Sequence, residues 1–410
     1  MIERETGLEA EKKTGGEREL DQARGISQAL SGRVQAASLS IEREGRLPSD
    51  IVEMIYEERL FKLFVPDALG GRMTALPEAA RIFEQAAYID GSFGWLVTIG
   101  SGGGFFAATL PEPTAEALFS DRRAVIAGSG HPTGTATAVP GGYRVSGSWQ
   151  YCSGAGHASF FTANCRVERD GAAVDDGEKG LTDSAVRAAV GDGEQQDIRG
   201  DAPEVESKPP EIRSFAFLPD QVEIVQDWAA MGLKATESHT IRVTDAFVPE
   251  ERTFDIATPP RYGDPVYRYP FLPFAQVSFA AVAVGLGRRF LDEARRLADA
   301  KRVAWDRAYA GRYARVADQI AARRRELDEV VDVFYRETEE SWTAFVERQA
   351  LSDDAVASVG AACRAASRTA TACAHALLPM LGMTGLMEHE PVNRAWRDLH
   401  TAAQHGLLNG

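Results

Sequence analysis

Apolar residues recur at helical spacing from about Leu20 to Asp121, as in SDIVEMIYEERLFKLFV (Ser49–Val65) and LPEAARIFEQAAYID (Leu76–Asp90). Apolar positions three and four apart fall on one face of a helix, so residues 21–121 are expected to form a helical domain. In the first segment Ser49 is the expected N-cap. Pro66 is the expected stop, because a proline cannot continue a helix. After Arg123 the pattern shortens. AVIAGSG, TATAVP, GGYRVSGSWQYCSG and SFFTANCRV are brief, β-branched or aromatic, and punctuated by Gly and Pro; RSFAFLP, VEIVQDW and HTIRVTDAFVP follow later. These runs predict the strands of a small antiparallel β-domain, residues 122–252. From Phe274 the helical period returns in FAQVSFAAVAVGLGRRFLDEARRLADAKR, in a long segment from Arg312 to about Val346, and in DDAVASVGAACRAASRTATACAHALL. The Ala, Gly and Ser of that last segment allow close helix approach, which suits a bundle or a subunit interface. Residues 253–410 are therefore read as a C-terminal helical bundle. The fold class is mainly α with a central β-domain.

Two stretches break this pattern. Residues 1–20 are charged and almost free of large apolar groups, which predicts a disordered leader. Residues 168–211 are rich in Gly, Asp and Glu and read as an acidic surface insertion, a long and mobile hairpin excursion with no binding role. The 410-residue chain carries a net charge of -15. Such a surface repels a nucleic-acid backbone or an anionic membrane, so neither is an expected partner. No membrane-spanning helix is expected, because no apolar run approaches the roughly 20 residues that cross a bilayer. Cys152, Cys165, Cys363 and Cys373 show no CxxC spacing, and the N-terminus does not resemble a signal peptide. The expectation is a reduced, cytoplasmic protein without disulfides or structural zinc.

Candidate chemistry gathers in three places. GGYRVSGSWQYCSGAGHASFF puts polar groups and flexible backbone at a strand end, and on its own reads equally as a plain hairpin with aromatic core residues. GSGHPTGTA (Gly128–Ala136) could offer backbone N–H groups to an anion or simply shape a loop. It lacks the GxGxxG and GxxxxGK[ST] patterns, and His131 within it reads as a loop residue. MEHEPVNRAWRDLHTAAQH (Met387–His405) holds three of the seven histidines. His400 and His405, five apart, would stand about 140° apart around a helix, and His389 lies beyond Pro391. Without HExxH or a carboxylate-bridged pair, no metal site is predicted. Nor does a GxSxG elbow mark a serine hydrolase.

Together these pieces resemble the acyl-CoA dehydrogenase superfamily over nearly the whole chain from about Leu20. The resemblance is carried by FVPDALGG (Phe64–Gly71), DGSFGW (Asp90–Trp95), GGYRVSGSWQYCSG, DWAAMGLKATESHTIRVTDAFVP and LGMTGLMEHEPVNRAWRD, in that order. It implies an N-terminal helical domain, a small antiparallel β-barrel or sandwich, a C-terminal four-helix bundle, a flavin between the last two, and a homotetramer. Acyl-CoA dehydrogenases of this kind carry a catalytic glutamate two residues before the proline, and here that position is His389. Glu388 and Glu390 flank it, but a one-residue shift turns a helical side chain by about 100°. An acyl-CoA dehydrogenase using Glu388 or Glu390 is thus the lesser expectation.

The chain is most similar to the two-component (group D) flavin-dependent monooxygenases, through PTGTA, GGYRVSGSWQYCSGAGHA and RDLHTAAQHGLLN. That resemblance implies an oxygenase component that takes reduced FAD or FMN from a separate reductase. With O2, and by way of a C4a-hydroperoxide, it would hydroxylate or N-oxygenate a small organic substrate. It implies Ser153 near flavin N5 and His405 near the C4a edge as catalytic residues, with His400 in reserve. Trp149, Tyr151, Gly154, Thr133 and Gly134 are implied flavin contacts. Trp95, Gly103, Glu237 and His389 are implied around the substrate. Phenol hydroxylases of the family tend to carry a histidine where this chain has Gly103, so oxygenation at nitrogen, sulfur or another carbon gains over simple phenol hydroxylation. The Gly102–Gly104 run either enlarges a pocket or lets backbones pack. Glu237 stands in ATES where relatives read TGS, and faces either solvent or an amine-bearing substrate. A non-catalytic flavin-binding subunit is the remaining alternative.

Overall fold

Residues 25–168 and 211–409 are described by the computed structural model; the expected leader and the body of the acidic insertion lie outside the described residues. The N-terminal helices are α1 (Gln28–Glu44), α2 (Ser49–Glu57), α3 (Leu76–Ile89), α4 (Gly91–Gly103) and α5 (Glu112–Phe119). Ser27 caps α1 by accepting the Leu30 N–H, and Gly45, at φ 67°, ends it. In α2 the expected cap is corrected: Pro48 is the N-cap and Ser49 is the first helical residue. The helix also stops well before Pro66. Arg59 takes φ 53°, and a short 3-10 turn, Leu60–Lys62, turns the chain inward so that Lys62 Nζ reaches the carbonyls of Leu69 (3.2 Å) and Phe119 (2.6 Å).

The central sheet has strands β1 (Ile126–Val139), β2 (Gly142–Cys152), β3 (Phe160–Glu168), β4 (Ile212–Phe217), β5 (Glu223–Val225), β6 (His239–Pro249) and β7 (Thr253–Phe254). Their order is β5-β6-β2-β1-β3-β4-β7. The expectation of a purely antiparallel domain is corrected at one pairing: β1 and β3 run parallel, from Ile126↔Phe160 to Thr137↔Glu168. The segment Ser153–Ser159 carries the chain back to the start of β1, where Ser159 N–H donates to Val125 O and Val125 N–H to Ser159 Oγ (both 2.9 Å). Hence β2 and β3 flank β1 on opposite sides and do not form a hairpin with each other. β3 and β4 are antiparallel neighbours, so the acidic insertion does leave and re-enter at adjacent strand ends.

The C-terminal helices are α6 (Phe271–Ala308), α7 (Arg312–Arg348), α8 (Asp353–Leu377), α9 (Pro391–Ala402) and α10 (Gly406–Asn409). Small residues bring α8 onto α6: a Cβ at Gly287 would stand 2.8 Å from Ala370 Cβ. By length and hydropathy α6 could cross a membrane, a feature the reading of apolar runs passed over, but 78% of its most apolar window is buried inside the molecule. One large core joins both helical domains, and the sheet keeps its own around Trp149, Phe215, Phe217 and Ile241.

Candidate active site

Three separated motifs converge on one frame. Asp90 of DGSFGW caps α4 by accepting the N–H groups of Ser92 (3.1 Å) and Phe93 (3.2 Å). Asp398 on α9 accepts the Leu233 N–H (2.6 Å), and its carboxylate lies where a Cβ on Gly91 would be, 2.6 Å from Oδ2. Arg397 donates to Met231 O (2.7 Å) and Asn393 Oδ1 (2.8 Å) and pairs with Glu42 of α1. Ala235 N–H donates to Ser92 Oγ (3.2 Å). The segment 231–238 is thereby held between α1, α4 and α9. Burial, reinforced by the nearby Asp90 charge, pushes the Asp398 carboxyl up to about 7, and burial raises Asp90 as well.

On this frame a row of buried hydroxyls is assembled. Trp95 Nε1 donates to Ser153 Oγ (2.9 Å); Ser153 Oγ lies 2.7 Å from Ser238 Oγ, and Ser238 Oγ lies 2.6 Å from Thr236 Oγ1. Thr236 donates to Leu233 O (2.9 Å). All four side chains are buried. Ser153 reaches this position because Tyr151 (φ 63°) and Gly154 (φ 82°) bend the chain off the end of β2, with Gly154 N–H bonded to Thr236 O (2.8 Å).

His405 lies just past the end of α9, so the angular argument that placed it and His400 on one helix does not apply. Its ring stacks on Phe279 of α6 (centroids 3.9 Å, 28°), Trp95 stacks on the same Phe279 (5.4 Å, 29°), and Trp95 is 6.0 Å from His405. Leu407 N–H donates to His405 Nδ1 (3.4 Å), which leaves Nε2 to carry the proton of the neutral ring. Burial, helped by the charge of His131, lowers the imidazole to about 4, so it is neutral at physiological pH. Two turns beyond Trp95 on the same helix face, a Cβ at Gly102 would meet nothing within 4 Å. The arrangement is an aromatic wall of Trp95, Phe279 and His405 beside a row of buried hydroxyls, with one neutral N–H donor.

Of the expected site residues, Trp95, Ser153, Gly154 and His405 are brought together here. His400 is turned elsewhere: its Nδ1–H donates to Trp396 O (2.8 Å), its ring stacks on Trp396 (3.9 Å), and burial lowers its pKa. Trp149 and Gly134 are corrected to packing partners, since the buried indole donates to Asn164 O (2.9 Å) and would stand 2.2 Å from a Cβ on Gly134. Thr133 is exposed and bonds Ser148 O (2.8 Å), while Tyr151 is 64% exposed beside Trp228. Gly103 is likewise a packing residue and not a pocket opener, because a Cβ there would fall 1.6 Å from Ile126 Cγ2, whereas a Cβ at Gly102 would meet no atom within 4 Å. His389 is corrected to the surface, its side chain 65% exposed and 3.9 Å from Glu390. Glu388 is also exposed. Glu237, at φ 46°, folds against Gly156 with its carboxylate 3.9 Å from His157 Nδ1, and His157 stacks on Phe61. Phe279, Thr236 and Ser238 were missed. A Phe within an apolar helix and two hydroxyls within a loop carry no spacing signal of their own.

Residues 277–410 match the sequence model of the family described as acyl-CoA dehydrogenase, C-terminal domain. The crystal structure of the HsaA monooxygenase from Mycobacterium tuberculosis has the same fold, with a TM-score of 0.75 over 95% of each chain at 22% identity. The chain thus has the fold of that monooxygenase, and its C-terminal third is similar to the acyl-CoA dehydrogenase C-terminal domain. XiaF from a Streptomyces species, solved in complex with FADH2 and glycerol, shares this fold with a TM-score of 0.70 over 97% of this chain and 94% of that one, at 24% identity. In sequence, the indole-3-acetate monooxygenase of Pseudomonas putida is 26% identical across 90% of this chain and 85% of its own length. The flavin-dependent monooxygenase oxygenase subunit HsaA of Mycobacterium tuberculosis is 26% identical across 88% and 85%. These relatives are monooxygenases, the group that the sequence motifs resemble.

Proposed function

We propose that the chain is the oxygenase component of a two-component flavin-dependent monooxygenase, supplied with reduced FAD or FMN by a separate reductase. When bound, the reduced flavin supplies the electrons with which O2 delivers one oxygen atom to the substrate and the other to water. The observation that carries this reading is His405, a neutral imidazole stacked on Phe279 beside Trp95 and Ser153. The residues suit a flavin. Ser153 offers a hydrogen-bonding oxygen at a strand end, Gly154 bends the backbone aside, and the rings exclude water. His405 donates from Nε2 to the oxygen being transferred, and because it is uncharged it does not release stray protons into the site. A dehydrogenase would need a carboxylate base here, whereas Glu388 is exposed and Glu390 pairs with the exposed His389.

The substrate is a small planar organic molecule that fits against Trp95 in the space left by Gly102, to be hydroxylated or N-oxygenated. The protein works in the cytoplasm as a homotetramer, an assembly for which the small-residue helix α8 is suited. The test is to bind reduced FAD or FMN anaerobically, then admit 18O2 together with indole or indole-3-acetate. Incorporation of 18O into product with little H2O2 supports the proposal. Protein that arrives with oxidised FAD and is bleached by an acyl-CoA thioester would make it a dehydrogenase.

A further inference from the structure

The hydroxyl row beside Trp95 has a fixed direction. Leu233 O can only accept, so the single hydroxyl hydrogen of Thr236 is committed to it (2.9 Å). Ser238 must then donate to Thr236 (2.6 Å), and Ser153 must donate to Ser238 (2.7 Å). Ser153 Oγ already accepts from Trp95 Nε1 (2.9 Å). Of its one hydrogen and two lone pairs, a single lone pair is left. Toward any ligand, Ser153 is therefore an acceptor only.

We infer that the Thr236–Ser238–Ser153 row selects the redox state of the flavin, favouring the reduced form over the oxidised one. This rests on the flavin reading above, with Ser153 facing N5. Reduced flavin carries a hydrogen on N5 and can donate it to the free lone pair. Oxidised flavin presents a lone pair at N5, so two acceptors face each other and a buried polar atom goes unpaired. Ser153 can donate to oxidised flavin only by abandoning Ser238. Trp95, Ser238 and Thr236 are positioning residues that act through Ser153. The consequence is an enzyme that takes up reduced flavin and lets oxidised flavin go to the reductase without any conformational gate.

Anaerobic equilibrium binding of dithionite-reduced and of oxidised FAD and FMN, without substrate or oxygen, tests the inference. Wild type should bind the reduced form roughly tenfold tighter or more, a ratio equivalent to about 1.4 kcal/mol. Ser238→Ala frees the Ser153 hydrogen and should tighten oxidised flavin by about the same factor, with little change for reduced flavin. Thr236→Val removes the end of the row. Ser238 then turns its hydrogen onto Ser153 and fills the last lone pair, so the preference should invert. Thr236→Ser should restore the wild-type ratio. Thermal melts check that each variant folds; if Ser238→Ala does not, Thr236→Val against Thr236→Ser makes the same comparison. Binding without redox preference, or ratios unmoved in Ser238→Ala and Thr236→Val, would overturn the selector while leaving the flavin reading intact. Binding of neither form would overturn both.

Discussion

Trp95 of α4 donates its indole N–H to Ser153 Oγ at 2.9 Å, and this one bond joins the N-terminal helical domain to the end of β2. Trp95→Phe keeps a ring to stack on Phe279 but removes the donor. The expected loss in urea unfolding is about 0.5 to 1.5 kcal/mol for the bond, against roughly 3 to 5 kcal/mol for Trp95→Ala, which also leaves a cavity. Equal losses in the two variants would contradict this account.

His405 makes stability depend on acid. Its folded pKa, about 4, lies below the ordinary histidine value near 6.5, so the unfolded chain takes up a proton first. The contribution is fully present above about 6.5 and is lost as pH falls through 4. The loss is at most about 3.5 kcal/mol, from about 1.4 kcal/mol per pKa unit. His405→Gln should flatten that part of the stability curve and should release more H2O2 per turnover. An unchanged curve would mean that the ring is solvated.

Asp398 works in the opposite direction. Its carboxyl is raised by burial and by Asp90, so its contribution is present below about 4 and is lost as pH rises through 7. Asp398→Asn keeps an acceptor for the Leu233 N–H and discards the charge. At pH 8 it should be as stable as wild type or more so, while Asp398→Ala, with the Leu233 N–H orphaned, should lose about 1 to 3 kcal/mol.

Neighbouring glycines on α4 should respond differently to one added methyl. Gly103→Ala drives a Cβ to 1.6 Å from Ile126 Cγ2 and should cost about 1 to 3 kcal/mol. Gly102→Ala meets nothing and should gain about 0.5 to 1 kcal/mol through helix propensity. In a calorimeter the two melting shifts should carry opposite signs. Gly102→Ala should also weaken the bulkiest substrates.

The order of helix, sheet and helix was legible because apolar periods of 3.6 and 2 survive in single segments such as LPEAARIFEQAAYID and HTIRVTDAFVP. The parallel pairing of β1 with β3 was not, since strand order depends on where the Ser153–Ser159 turn delivers the chain and leaves no mark on periodicity. The site was half legible. Ser153 and His405 lie in motifs dense enough to read, and Trp95 follows a recognisable turn. Trp149 misled, because an aromatic beside a glycine looks the same whether it touches a ligand or fills a sheet. Ser238 acquires its meaning from Ser153, 85 residues away, Thr236 through Ser238, and Phe279 from Trp95 in the other helical domain.

The ends of the acidic insertion are held together. β3 and β4 are in antiparallel register up to Arg166↔Ile212, and Val167 N–H donates to Glu211 O (2.8 Å). The neck is closed by the ladder, and the entropy of closing a loop grows only with the logarithm of its length. Whatever chain joins Glu168 to Glu211 therefore begins and ends at one fixed point of the sheet, and the pairing of β3 with β4 is set by the strands themselves.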